Sequence, residues 1–175
     1  LELGSYILVV LSAIAQLIGW GMFIQVLQKI KKPIFSNLNN YAKWLLILSS
    51  LALTIKVLLQ LGSTIPSLSE LAYGFRPIVI GYLHLILLGA ISLFIIGFSF
   101  AEELLPTNKL IINGLVIFTA GVIINEIFLM TQGVAAMNDI LLPLMNEWLI
   151  FSSVILLLGM VLVNAGLKNK KEYNN

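Results

Sequence analysis

Pro77-Ile-Val-Ile-Gly-Tyr-Leu-His84-Leu-Ile-Leu-Leu-Gly89-Ala-Ile-Ser92-Leu-Phe-Ile-Ile-Gly97-Phe-Ser-Phe100 is the stretch on which the reading of this chain turns. At about 1.5 Å per residue, a helix of this length exceeds the roughly 30 Å hydrocarbon core of a bilayer. Pro77 suits its first turn, where the missing N–H is no loss. The chain's one histidine, His84, lies inside this apolar run. An imidazole there needs a partner, because hydrocarbon offers an unsatisfied polar group nothing to bond.

Outward from this stretch, four more runs of similar character follow the same rule. The five spans are read as residues 5–28, 43–62, 77–100, 110–131 and 148–167. Composition agrees: 59% of the 175 residues are hydrophobic and 10% charged, whereas a soluble domain carries about a quarter charged residues. The expected fold is an all-α integral membrane protein, one domain over 1–175, built as a bundle of five transmembrane helices. Neither a repeat of fixed period nor a low-complexity linker breaks it. The sequence opens on Leu1 with no basic, cleavable leader ahead of the first span. That leaves room for earlier helices, this chain then being the C-terminal part of a longer protein.

Between the spans, Lys29-Ile-Lys-Lys-Pro33 is expected to end the first helix. Ser67-Leu-Ser-Glu70, just after Pro66, fits a capping box for a short surface helix with Ile65, Leu68, Leu71 and Phe75 on its apolar side. Gln132 to Glu147 reads as a connector holding Asp139 and Pro143, and Lys168 to Asn175 as a polar tail.

Alternating the sides collects Lys29, Lys31, Lys32, Lys43, Lys109, Lys168, Lys170 and Lys171 on one face. The other holds Arg76 with Glu2, Glu70, Asp139 and Glu147. The positive-inside rule then expects the N-terminus outside and the C-terminus in the cytoplasm of an inner (plasma) membrane. A net charge of +2, scattered in this way, does not make a nucleic-acid surface.

Three ionisable residues fall within spans: Lys56, His84 and Glu126. Intramembrane charge is expensive, which makes each a functional candidate. Counting from the helix ends puts all three at one depth, roughly 7–11 Å below the outer boundary. Gln60 lies one turn from Lys56, Asn125 adjoins Glu126, and Tyr82 and Arg76 stand near the layer's outer edge. Lys56 and Glu126 have the charges and depth to pair, though desolvation offsets much of such an attraction. Other arrangements stay open: Lys56 snorkelling to the interface, Glu126 bonded as a neutral acid to a neighbouring helix, and His84 bridging two helices. By α-helical spacing Ile80, Leu88, Ile91 and Ile95 share the His84 face, while Gly89 and Gly97 read as close-packing points.

Much chemistry is excluded. With no cysteine and one histidine, the chain supplies no disulfide, iron–sulfur cluster or complete transition-metal site without carboxylates or a partner. A glycine-rich phosphate loop, a nucleophile elbow and a paired-histidine zinc motif are all missing from the sequence.

Tyr82-Leu-His84-Leu-Ile-Leu-Leu-Gly89-Ala-Ile-Ser92-Leu-Phe-Ile-Ile-Gly97-Phe-Ser-Phe-Ala-Glu-Glu-Leu-Leu-Pro106 resembles a helix of the haem–copper oxidase and nitric-oxide-reductase superfamily and its oxidase-like relatives. The likeness covers about 25 residues: a histidine early in the span, then small residues, glycines and a far proline. It implies His84 as an axial haem ligand, haem b as cofactor, and Arg76 as partner of a propionate or anionic headgroup. The family's second haem histidine and its metal-centre histidines have no counterpart here. The resemblance therefore implies a haem-associated or redox-accessory subunit and not a catalytic one.

Two other readings stand beside it. In one, Lys56, His84 and Glu126 relay protons or ions in a transporter or channel. In the other, the chain is a structural or assembly subunit whose polar groups specify helix packing. The bilayer is the common partner, other membrane subunits the further one.

Overall fold

Every element is helical in the computed structural model, which describes residues 3–173, the side chains of 31–34, 37, 71–73 and 169–173 excepted. Glu2, Lys31, Lys32, Leu71, Lys170 and Lys171, used above for charge and apolar faces, have no described side chains. Helix α1 (Leu3–Asn37) does not stop at the lysine cluster and runs through Pro33. That proline withdraws only the bond to the carbonyl of Lys29, at the edge of the apolar stretch, where water can take its place. Helix α2 (Asn40–Gly62) starts ahead of Lys43 because Asn39 Oδ1 accepts the Ala42 N–H at 2.7 Å.

The surface helix α3 (Pro66–Gly74) is present, but its capping box is not used. Ile65 is the N-cap, without a side-chain bond, and Pro66 fills the first turn with its pre-set φ. The third span, Arg76–Ala101, consists of α4 (Arg76–His84), a π-helical segment (Leu85–Ser92) and α5 (Leu93–Ala101). Helix α6 (Lys109–Met137) runs past Thr131, so much of the expected connector is helix. Helix α7 (Met145–Tyr173) likewise absorbs most of the expected tail. Five helices are long and apolar enough to cross a membrane.

Both α5 and α6 end on a left-handed residue. Glu103 and Asp139 each have φ 54°, and the N–H groups of Leu104 and Ile140 reach back to Ser99 O and Ala135 O. This is the usual way to satisfy orphan carbonyls at a helix end.

The spans pack largely in chain order. Helix α1 lies on α2, α2 on the π segment and α5, α4 on α6, and α6 on α7. The buried core gathers Ala42, Leu45, Leu93, Phe100, Ile111 and Phe118, all toward the end where α2 and α6 begin. Lys29, Lys43, Lys109 and Lys168 lie near that end, called here the lysine end. Two asparagines also tie helix termini there: Asn39 Nδ2 donates to Phe100 O at 3.3 Å, and Asn108 Nδ2 to Gly166 O at 3.0 Å.

Helices α6 and α7 make the closest approach. A Cβ on Gly159 would lie 2.6 Å from Phe118 N, and one on Gly114 would lie 2.8 Å from Gly159 O. Ser152, Gly159 and Gly166, seven apart, keep one edge of α7 small enough for this contact. Gly89 and Gly97 are packing points as expected, their would-be Cβ atoms 3.1 Å from Ala52 Cβ and 3.0 Å from Leu45 Cβ.

The π segment is the main departure from the sequence reading. Ser92 Oγ donates to Leu87 O, five residues back, and Ser49 Oγ on α2 donates to Ala90 O at 2.7 Å. The wider turn brings two consecutive small residues, Gly89 and Ala90, under α2, and both are buried. It also breaks the continuous α-helical face assigned to His84. Leu88 packs on the core, whereas Ile91 and Ile95 are exposed.

Candidate functional site

Packing register allows the depths to be compared directly. Gly81 on α4 faces Leu129 on α6, its would-be Cβ 3.4 Å from Leu129 Cβ. One short turn along each antiparallel helix brings His84 level with Glu126. On the other side, Gly89 faces Ala52, and four residues along each chain bring Leu85 level with Lys56. The three ionisable residues do lie in one layer, toward the end opposite the lysines.

They are not joined. Lys56 Nζ donates to Gln60 Oε1 on its own helix, and both residues are half-buried. Glu126 Oε1 is buried with no hydrogen-bond partner. No ion pair links Lys56 to Glu126 among the described residues, because the third span stands between the α2 and α6 positions. The expected pair is therefore corrected to a local bond on α2 and an unpaired oxygen on α6.

His84 is half-buried, and its Nδ1 lies 2.9 Å from Ile80 O. A carbonyl only accepts, so Nδ1 carries a proton, and whenever the ring is neutral its lone pair falls on Nε2. His84 closes α4 where the π segment begins. Of its expected neighbours, Tyr82 is half-buried and has a partner. Arg76 is exposed in the first turn of α4.

Asn125, 4% exposed, belongs to a pair that sequence reading missed. Ser152, fully buried on α7, places Oγ 2.9 Å from Asn125 Oδ1 and 2.8 Å from Leu149 O. A hydroxyl has one proton and cannot donate to both oxygens at once. With the amide turned over, Ser152 donates to Leu149 and accepts from Asn125 Nδ2. Either orientation leaves one amide atom of Asn125 buried and unpaired, beside Glu126 in sequence. The small-residue spacing Ser152–Gly159–Gly166 was the signal that could have found Ser152.

A cavity of about 550 Å³ opens at the same end, lined by Pro77, Gln132, Asp139, Met145, Asn146 and Glu147 among others. It was missed because α6 was expected to stop before Gln132. Lys56, His84 and Glu126 do not line it.

Fold and site together define a class: an all-helical chain with five helices long and apolar enough to cross a membrane and a layer of polar residues toward one end. No protein-family model, no curated protein and no solved structure matches the chain.

Proposed function

We propose that this chain is a multi-pass protein of the inner (plasma) membrane, N-terminus outside and C-terminus in the cytoplasm, serving as a haem-associated or redox-accessory subunit. The lysine distribution supports the orientation. Labelling of single cysteines introduced in the Lys109 loop and the Asp139 loop tests it, with only the second expected to react in intact cells.

One observation carries the cofactor reading: the Nδ1–H···O=C bond from His84 to Ile80. Metal-binding histidines commonly fix their second nitrogen in this way, leaving Nε2 for the metal. His84 would hold the iron through Nε2, and Arg76, exposed in the first turn of α4, would take a propionate. Haem, when bound, supplies one-electron redox chemistry. Purified protein is expected to show a Soret band that shifts on reduction and disappears in His84→Ala. A colourless, folded, lipid-loaded preparation would remove this reading.

The unpartnered Glu126 Oε1 favours a second reading, a proton or ion relay. It expects pH-dependent flux in proteoliposomes that Glu126→Gln suppresses. Unchanged flux would exclude Glu126 from any such path.

A further inference from the structure

We propose that α1 is a self-association helix, pairing in parallel with α1 of a second copy of this chain along Ser5, Ser12, Gln16 and Gly19. This inference is independent of the cofactor reading.

Helix α1 is the least embedded of the five spans: 6% of its apolar window is buried, against 39% for α6. Two residues mark the side turned to α2. Ala13 is 3% exposed, and Trp20 Nε1 donates to Thr54 Oγ1 at 3.0 Å. At about 100° per residue, Ser5, Ser12, Gln16 and Gly19 fall within roughly 60° of arc beside that seam. All four are exposed.

Exposed apolar side chains in a membrane span simply meet lipid, but Gln16 is different. It sits in the middle of the Leu3–Ile30 span and has no hydrogen-bond partner among the described residues. Ser12, one turn away, is satisfied by Val9 O at 2.8 Å. A carboxamide near the midplane is about 15 Å from either interface, too far for its short side chain to reach water.

The chemistry of the amide selects the occupant. A carboxamide both donates and accepts, so another carboxamide complements it fully. Two copies inserted with the same orientation place Gln16 opposite Gln16 at the same depth, the self-complementary contact that two-fold pairing requires. Small residues let the backbones approach. The seven-residue spacing Ser5–Ser12–Gly19 repeats that of Ser152–Gly159–Gly166, which lies against α6 within the chain. A Cβ on Gly19 would meet nothing within 4 Å, so the α1 edge is open.

The chain has no cysteine, so single-cysteine variants report one contact each. In membranes under mild oxidation, Ser12→Cys and Gly19→Cys are expected to form a dimer of twice the chain mass. Ile18→Cys, exposed and about 120° around α1 from Ser12, should remain monomeric. Adding Gln16→Leu to Ser12→Cys should lower the dimer yield about threefold to tenfold. Ser12→Cys is nearly isosteric, and the unfolding temperature of each variant is measured alongside. Absence of a dimer from Ser12→Cys overturns the proposal, as do equal yields from Ile18→Cys and indifference to Gln16→Leu. An adduct of another mass also overturns it, assigning the face to a different subunit.

Discussion

The lysine end and the histidine end of this bundle are held in different ways. At the lysine end Phe100 and Ile111 are sealed within a core drawn from four helices, and asparagines join helix termini across the seams. Toward the other end Lys56 is satisfied by Gln60 and His84 by Ile80, each within its own helix, and Glu126 Oε1 not at all, while the neutral side chains Asn125 and Ser152 meet across α6 and α7. In lipid no hydrophobic force drives one helix onto another, so close packing and interhelical hydrogen bonds must do so. Such contacts occur at both ends, but among the described residues no interhelical hydrogen bond involves Lys56, His84 or Glu126. The fold can therefore rest on its packing seams and neutral hydrogen bonds while the histidine end tolerates three ionisable groups that join no two helices.

The sharpest way to break this contrast is at the α6–α7 seam. Gly159→Leu drives a side chain into the backbone of Phe118 and is expected to cost more than about 3 kcal/mol, or to prevent folding. Thermal unfolding in detergent reads this, and a near-native transition would show that the seam is not where stability lies. Next comes the buried pair. Ser152→Ala is expected to cost about 1–2 kcal/mol because it strands Asn125. Adding Asn125→Leu should recover at least half of that, since no polar atom is then left unpaired. A strictly additive double variant would mean that the two residues are uncoupled.

Smaller effects sharpen the comparison from the other end. Asp139→Gly relieves a left-handed residue and should stabilise by about 0.5–1 kcal/mol, read as a small rise in unfolding temperature. Lys56→Met should fall within about 0.5 kcal/mol of the parent, because the ammonium bonds only within its own helix. A loss of several times that size would restore an ionic partner to Lys56.

Length and hydropathy made the five spans legible, and charge alternation with 1.5 Å bookkeeping placed Lys56, His84 and Glu126 in one layer. Depth, however, fixes height and not facing, so the Lys56–Glu126 pair did not follow from it. Helix ends were misplaced for a related reason. Lys29, Thr131 and Lys168 mark where apolar sequence stops, but backbone hydrogen bonding continues through polar residues until a cap such as Asn138–Asp139 ends it. The π segment left no trace in the pattern because the third span is apolar on all sides, and a change of pitch moves no polar residue to a wrong face. Gly114, Gly121, Gly159 and Gly166 were visible throughout. Their seven-residue spacing becomes meaningful only once the two helices are known to be adjacent and antiparallel.

The π segment has a consequence for how the third span serves two neighbours. It acts as a phase shifter between α4, which answers to α6, and α5, which answers to α2. Each half can keep its own rotational setting because the eight residues between them absorb the difference. Re-forming Leu85–Ser92 as ordinary α-helix with all its residues kept would turn one half by on the order of 100° relative to the other. Gly97 would then be withdrawn from Leu45, or Gly81 from Leu129, and His84 would lose its alignment with one of its two level-mates. The rotational address of the histidine is therefore written into the pitch of a segment that does not contain it.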